Sequence, residues 1–153
     1  MTMIMRLLRH LRRDQRGTMA IETALVAPVL LALSMGGYEA SRIFARQTEL
    51  QTAVAEAGDV AIAIKVDTSL ERSKLRDRIK ASTGLTDAEV TIANSYRCGA
   101  DSSTVTSSTS CSGSQVITTY LEIHVTDTLN PMWSQLGFGD EVNFNVRRLV
   151  LVA

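Results

Sequence analysis

The chain has 153 residues, with 16 Lys and Arg against 16 Asp and Glu and only 5% aromatic residues. This length is that of one ordinary domain. The balanced charge argues against a nucleic-acid-binding protein, which usually carries a basic excess. The charge is nevertheless uneven, because residues 1–17 hold five arginines and one aspartate, a net +4, and the remainder carries −4. The basic segment therefore stands apart from the rest of the chain.

An apolar stretch of membrane length follows this segment. Residues 18–38 contain one ionisable side chain, Glu22. As a helix the stretch extends about 31 Å, which matches the hydrocarbon core of a bilayer. Arginines precede it and no positive excess follows it, so we predict a cytoplasmic N-terminus and an extracytoplasmic C-terminal part. A cleaved secretory signal and an uncleaved anchor both fit this pattern.

The junction between the basic and apolar segments carries a recognisable motif. Residues 16–22 read RGTMAIE, a basic leader that ends in Gly17, with Glu22 as the fifth residue beyond it. This order resembles the processing site of type IV prepilins. Residues 12–50 are most similar to the TadE/TadF-like pseudopilins of the Flp, or tight adherence (Tad), pilus system. The chain that follows the apolar stretch is long, which favours a minor pseudopilin over a pilus shaft subunit.

The resemblance implies specific roles for residues at the junction. A prepilin peptidase would cut between Gly17 and Thr18, and Glu22 would pair with the N-terminal amine of a neighbouring subunit. A carboxylate in a membrane helix costs on the order of 2–3 kcal/mol unless it is compensated. The alternative is that Glu22 only extends to the lipid headgroups. The implied partners are the peptidase, other pilins and pseudopilins, the pilus assembly platform and the bacterial inner membrane, with the head in the periplasm or outside the cell.

The apolar pattern continues beyond the membrane-length stretch and predicts a spine helix over residues 39–66. Its apolar residues share one face that we expect to pack on a globular head: Ile43, Leu50, Val54, Ala57, Ala61 and Ile64. A second helix begins with the capping box Thr68–Glu71 and ends near Gly84. Leu70, Leu75 and Ile79 form its apolar face, opposite a basic face.

Period-two patterning after residue 88 predicts three strands, near 90–96, over 116–126 and from Val142 to Val152. The predicted fold is therefore α+β: a long transmembrane and spine helix, a second short helix and a small antiparallel sheet, with residues 67–153 forming the head. Between the first two strands lies a Ser/Thr-rich loop. In an oxidising compartment, a disulfide between Cys98 and Cys111 would close it. A metal site or a nucleophile is the alternative role for these cysteines.

Residues 130–140 connect the last two strands and contain the only tryptophan, Trp133. This segment is either a binding surface or a cover over an open edge of the core.

The sequence lacks the motifs of a catalytic or cofactor site. The two histidines, His10 and His124, have no evident partners, and the nine glycines form no phosphate-binding motif. We therefore expect no enzyme activity, metal or cofactor. The leading hypothesis is a minor pseudopilin for Flp/Tad pilus assembly in adherence and biofilm formation. The alternative is an uncleaved, single-pass membrane protein whose periplasmic domain binds a ligand or partner.

Overall fold

The structure is a computed structural model that describes residues 16–64, 66, 68–113, 115–137 and 139–152. The leader residues 1–15, including His10, lie outside the described residues. The architecture is α+β: helix α1 (Arg16–Ile64), helix α2 (Ser69–Thr83) and strands β1 (Val90–Cys98), β2 (Ile117–Leu129) and β3 (Val142–Leu151). The chain divides into two compact units, residues 1–41 and 42–153.

The second unit is built on a three-stranded antiparallel sheet in the order β1-β2-β3. β2 is central, and its Val125 lies opposite Val90 on β1 and Val146 on β3. Alternate β2 residues Leu121, Ile123 and Val125 are buried, as expected for a strand with one face on a core. This buried face packs in one apolar cluster with residues of both helices.

The spine stripe predicted from the sequence is largely confirmed. Leu50, Val54, Ala57 and Ala61 are buried in the core. The prediction fails at Ile64, which is 52% exposed, because α1 ends there. Val66 takes the inward position instead and donates its backbone N–H to the Ala61 carbonyl at 3.3 Å.

Helix α2 begins and ends where its capping residues predict. The Thr68 hydroxyl accepts from the Glu71 N–H, and the Glu71 carboxylate accepts from the Thr68 N–H at 3.0 Å. Gly84 ends the helix in the left-handed conformation, at φ 73°. Leu75 and Ile79 are buried, but Leu70 is largely exposed because it stands in the first turn, ahead of the part of the helix that covers the core.

Cys98 and Cys111 form the predicted disulfide. The bridge joins the end of β1 to the far end of the Ser/Thr-rich loop. Within the loop, Val105 exchanges two backbone hydrogen bonds with Tyr96, at 2.7 and 2.8 Å. The loop therefore lies along the outer edge of β1 as a short extra bridge, so this edge is partly paired.

The paired arginines of β3 lie on opposite faces of the sheet. Arg147 Nε lies 2.6 Å from the Glu122 carboxylate on the outer face, whereas Arg148 extends over α1 and reaches Asp59 at 3.4 Å. Gly58 leaves the space for this side chain. A Cβ at Gly58 would lie 3.0 Å from Arg148 Nε and 3.2 Å from Val150 Cγ2.

We predict that Gly58→Leu lowers the free energy of unfolding by about 1–3 kcal/mol, because the added side chain overpacks the contact with β3. Urea unfolding of the full chain in detergent micelles, followed by Trp133 fluorescence, measures this change. Ala63→Leu is the matched control, because Ala63 is exposed on the same helix; its effect should stay within about 0.5 kcal/mol. Equal effects of the two variants would contradict the role of Gly58.

Replacing both Cys98 and Cys111 with Ser should lower stability by about 3 kcal/mol, because the open chain regains the entropy of the loop. The same urea titration measures the loss. Alkylation with iodoacetamide under native, non-reducing conditions gives an independent check, since the bonded cysteines should not react. Labelling of either cysteine in the untreated protein would disprove the bridge.

Candidate functional site

The membrane-length part of α1 is apolar on all sides. Its large side chains are mostly exposed regardless of the direction in which they point, including Met19, Ile21, Leu25, Leu31 and Leu33. An all-round apolar helix is suited to lipid or to a bundle of other helices. It is the one helix of the described chain that is long and apolar enough to cross a membrane. The sequence prediction of a membrane anchor is thus supported by length, composition and exposure.

Hydroxyl groups within this segment are satisfied by their own helix. Thr23 Oγ1 donates to the Met19 carbonyl at 2.8 Å, and Ser34 Oγ donates to the Leu30 carbonyl at 2.8 Å. Such bonds to a carbonyl of the preceding turn satisfy the hydroxyl donor in an apolar environment. These side chains therefore need no partner from outside the helix.

Glu22 differs from these side chains. Its carboxylate is exposed, and among the described residues no hydrogen bond or ion pair reaches it. It lies on a shallow surface cleft of about 290 Å³, lined also by Thr23, Val26, Ala27 and Leu30. A carboxylate at an apolar surface is stabilised by a cation or by hydrogen-bond donors supplied by another molecule. The arrangement therefore suits an intermolecular ion pair.

The two residues at the predicted cleavage site lie close to this carboxylate along the chain. Gly17 and Thr18 form part of the first turn of α1, which begins at Arg16. The Thr18 nitrogen and Glu22 are separated by about one helical turn, or roughly 6 Å of rise. A chain that started at Thr18 would therefore carry an amine and a carboxylate within one turn of its membrane helix.

A second charged constellation lies in the second unit, at Arg46. Its Nε donates to the Asp127 carboxylate at 2.6 Å, and its Nη1 donates to the Thr83 carbonyl and the Glu49 carboxylate, both at 2.9 Å. Burial opposes the charge of the guanidinium, but the hydrogen bonds to Asp127 and Glu49 prevail, so the pKa of Arg46 is raised. We call these contacts to Asp127, Thr83 and Glu49 the Arg46 bridge. It joins α1, the end of α2 and β2.

Helical spacing alone indicates the local part of this bridge, because Arg46 and Glu49 are three residues apart on α1. Asp127 was missed as a partner. Its position carries the signal, because Asp127 follows Leu121, Ile123 and Val125 in the same alternation and thus falls on the helix-facing side of β2. A carboxylate on a buried face requires a donor from the element packed on it.

Two further features of the head are the contact of His124 and a groove between the helices. His124 lies on the outer face of the sheet, with Nε2 3.0 Å from Asn145 Oδ1 on the neighbouring strand. A groove of about 320 Å³ runs between the helices, with Ala53, Ala57 and Ile79 in its wall and Glu56, Asp59 and Arg78 among its charged residues. Within the described part of the chain, no three His, Cys, Asp or Glu side chains are grouped to hold a metal ion.

Comparison with known families adds to this geometry. The family model described as "TadE: TadE-like protein" matches residues 17–59. Residues 17–59 are TadE-like. The match begins at Gly17, includes Glu22 and extends along α1 to Asp59, so it contains the membrane-length segment and most of the face that packs on the sheet. The similarity covers 43 of the 153 residues.

No curated protein and no solved structure matches the chain. α2 and the sheet lie beyond the TadE-like segment.

We predict that Arg46→Met lowers the free energy of unfolding by about 2–3 kcal/mol, because it leaves the Asp127 carboxylate without its charged donor. Asp127→Asn should cost less than Arg46→Met, and the double variant should cost less than the sum of the two single variants. Urea titration in micelles provides the measurement. Glu49→Gln is the control, because it removes only the more exposed partner and should cost less than about 0.5 kcal/mol. Additive effects of Arg46→Met and Asp127→Asn would contradict the bridge.

Proposed function

We propose that the protein is a minor pseudopilin for assembly of a Flp/Tad pilus, and that its role is structural rather than enzymatic. The observation that carries the proposal is Glu22: an exposed carboxylate, unpaired among the described residues, on an apolar TadE-like helix. After cleavage, the Thr18 amine and Glu22 stand about one helical turn apart, so an axial offset of one turn between adjacent subunits would bring the amine of one to the carboxylate of the other. The pairing of opposite charges offsets the cost of placing each in an apolar surrounding.

Processing follows from the same segment. A prepilin peptidase cuts the Gly17–Thr18 bond on the cytoplasmic side and removes the basic leader. The bond lies in the first turn of α1, so it has to leave the helix to enter a protease cleft. Glycine is among the weakest helix-forming residues, about 1 kcal/mol below alanine, so this turn opens at low cost. Gly17 also presents no side chain at the cleavage site.

The proposed topology places residues 1–17 in the cytoplasm, residues 18–38 in the inner membrane and the α+β head in the periplasm. The positive leader supports this orientation. The disulfide between Cys98 and Cys111 supports it independently, because disulfides persist in oxidising compartments such as the periplasm. Both observations support a topology in which the two ends of α1 lie on opposite sides of one bilayer.

We predict that Gly17→Val blocks processing and that Glu22→Gln permits processing but impairs piliation and adherence. Intact-mass analysis of the chain from cells that contain prepilin peptidase measures processing, and electron microscopy measures piliation. Gly36→Val is the control for the first change, because a side chain at Gly36 meets open space. Thr23→Ala is the control for the second, because the Thr23 hydroxyl is already bonded within its own helix.

A mature chain that starts before Thr18 in wild-type cells would overturn the processing step. If Glu22→Gln left piliation intact, the pairing role would be wrong. Normal function of both variants would instead favour the uncleaved membrane protein with an independent periplasmic domain.

A further inference from the structure

The connection between β2 and β3 carries an apolar turn that the pilus assignment leaves unexplained. Residues 130–139 contain no ionisable side chain. Met132–Leu136 form a 3₁₀ helix that is held by Pro131, whose carbonyl accepts from both the N–H and the hydroxyl of Ser134. Pro131 is buried, Trp133 is partly buried and Met132 is 44% exposed. We call residues 131–135 the Met132 turn.

Two ion pairs show at which end of the second unit this turn lies. Arg148, which is opposite Ile123 in the sheet, reaches Asp59 of α1, and Asp127 of β2 reaches Arg46. Between Ile123 and Asp127, β2 therefore runs along α1 from Asp59 back toward Arg46. The Met132 turn belongs to the connection between Leu129 of β2 and Val142 of β3, which pair at this end of the sheet. Within the second unit the connection therefore lies toward the Arg46 end of α1.

This end of the unit also exposes an aromatic residue. Phe44 is 71% exposed, although it stands two positions from the partly buried Arg46. The chain that enters the unit here comes from the membrane-length stretch, which ends at Tyr38. The exposed apolar side chains of Phe44 and Met132 thus belong to the end of the head from which the membrane segment leaves.

We propose that the Met132 turn inserts into the headgroup-to-acyl boundary of the bilayer that holds residues 18–38. The inference rests on the membrane anchoring contained in the proposed function. Tryptophan concentrates at this boundary because its ring is apolar and its N–H is polar. The turn adds an exposed methionine and has no charge to desolvate on insertion. Phe44 stands six residues beyond Tyr38, so a short length of chain ties this end of the head to the anchor, which favours lipid as the occupant.

The native Trp133 is itself the probe for this contact. The full chain is reconstituted into vesicles of phosphatidylcholine and phosphatidylglycerol, with and without bromine near the headgroup end of the acyl chains. We expect the Trp133 emission to fall about two-fold in the brominated vesicles, because bromine quenches only a ring at its own depth. Met132→Asp should reduce this quenching, since the added carboxylate resists insertion.

Two variants in a Trp133→Phe background distinguish the turn from the anchor. Tyr38→Trp reports on the headgroup end of the membrane segment, and Val116→Trp places the ring at the opposite end of β2, where no quenching is expected. Quenching of Tyr38→Trp without quenching of Trp133 would overturn the inference and leave the anchor intact. Failure of Tyr38→Trp to be quenched would overturn the anchor itself. A blue-shifted Trp133 emission without bromine quenching would show that protein covers the turn and would also overturn the lipid contact.

Discussion

The Arg46 bridge is the contact on which the arrangement of the head depends. Helix packing on a sheet through small and branched apolar side chains tolerates sliding, because such contacts are not directional. The guanidinium of Arg46 is directional: it donates at once to β2 and to the carbonyl end of α2. It therefore fixes where along α1 the sheet and the second helix sit. A second contact, between Arg148 of β3 and Asp59 of α1, fixes the same register between helix and sheet a few helical turns from Arg46. Asp59 directly follows Gly58, which leaves the space for the Arg148 side chain.

Helix α1 carries two surfaces of different character on one continuous backbone. In the apolar stretch, hydroxyl groups bond to the preceding turn and leave Glu22 as the exposed polar group. Further along, the same helix presents Leu50, Val54, Ala57 and Ala61 to the sheet. The TadE-like match spans both parts, so the family pattern joins the membrane segment to the packing face. The sheet itself lies outside that pattern.

Much of this fold follows from local sequence signals. The capping box and Gly84 set the bounds of α2, and the alternation of Leu121, Ile123 and Val125 identifies the buried face of β2. The membrane-length apolar segment and the spacing between Gly17 and Glu22 are also evident from the sequence alone. Local signals fail where the end of an element or a contact with a distant element determines whether a side chain is buried. Ile64 continues the apolar period of α1 but is exposed, because the chain leaves the helix there. Asp127 looks like a surface residue until its strand face and its partner Arg46 are known together.

The shared core has a consequence for the order in which the chain is made. The face of α1 that contains Leu50 and Val54 is synthesised well before Leu121, Ile123 and Val125, which complete the same core. During synthesis, that face is therefore without its sheet until β2 and β3 have been made. Nascent chains in this state expose apolar surface, the condition under which aggregation competes with folding. A chaperone that binds apolar surface would act in this interval, on the uncovered face of α1.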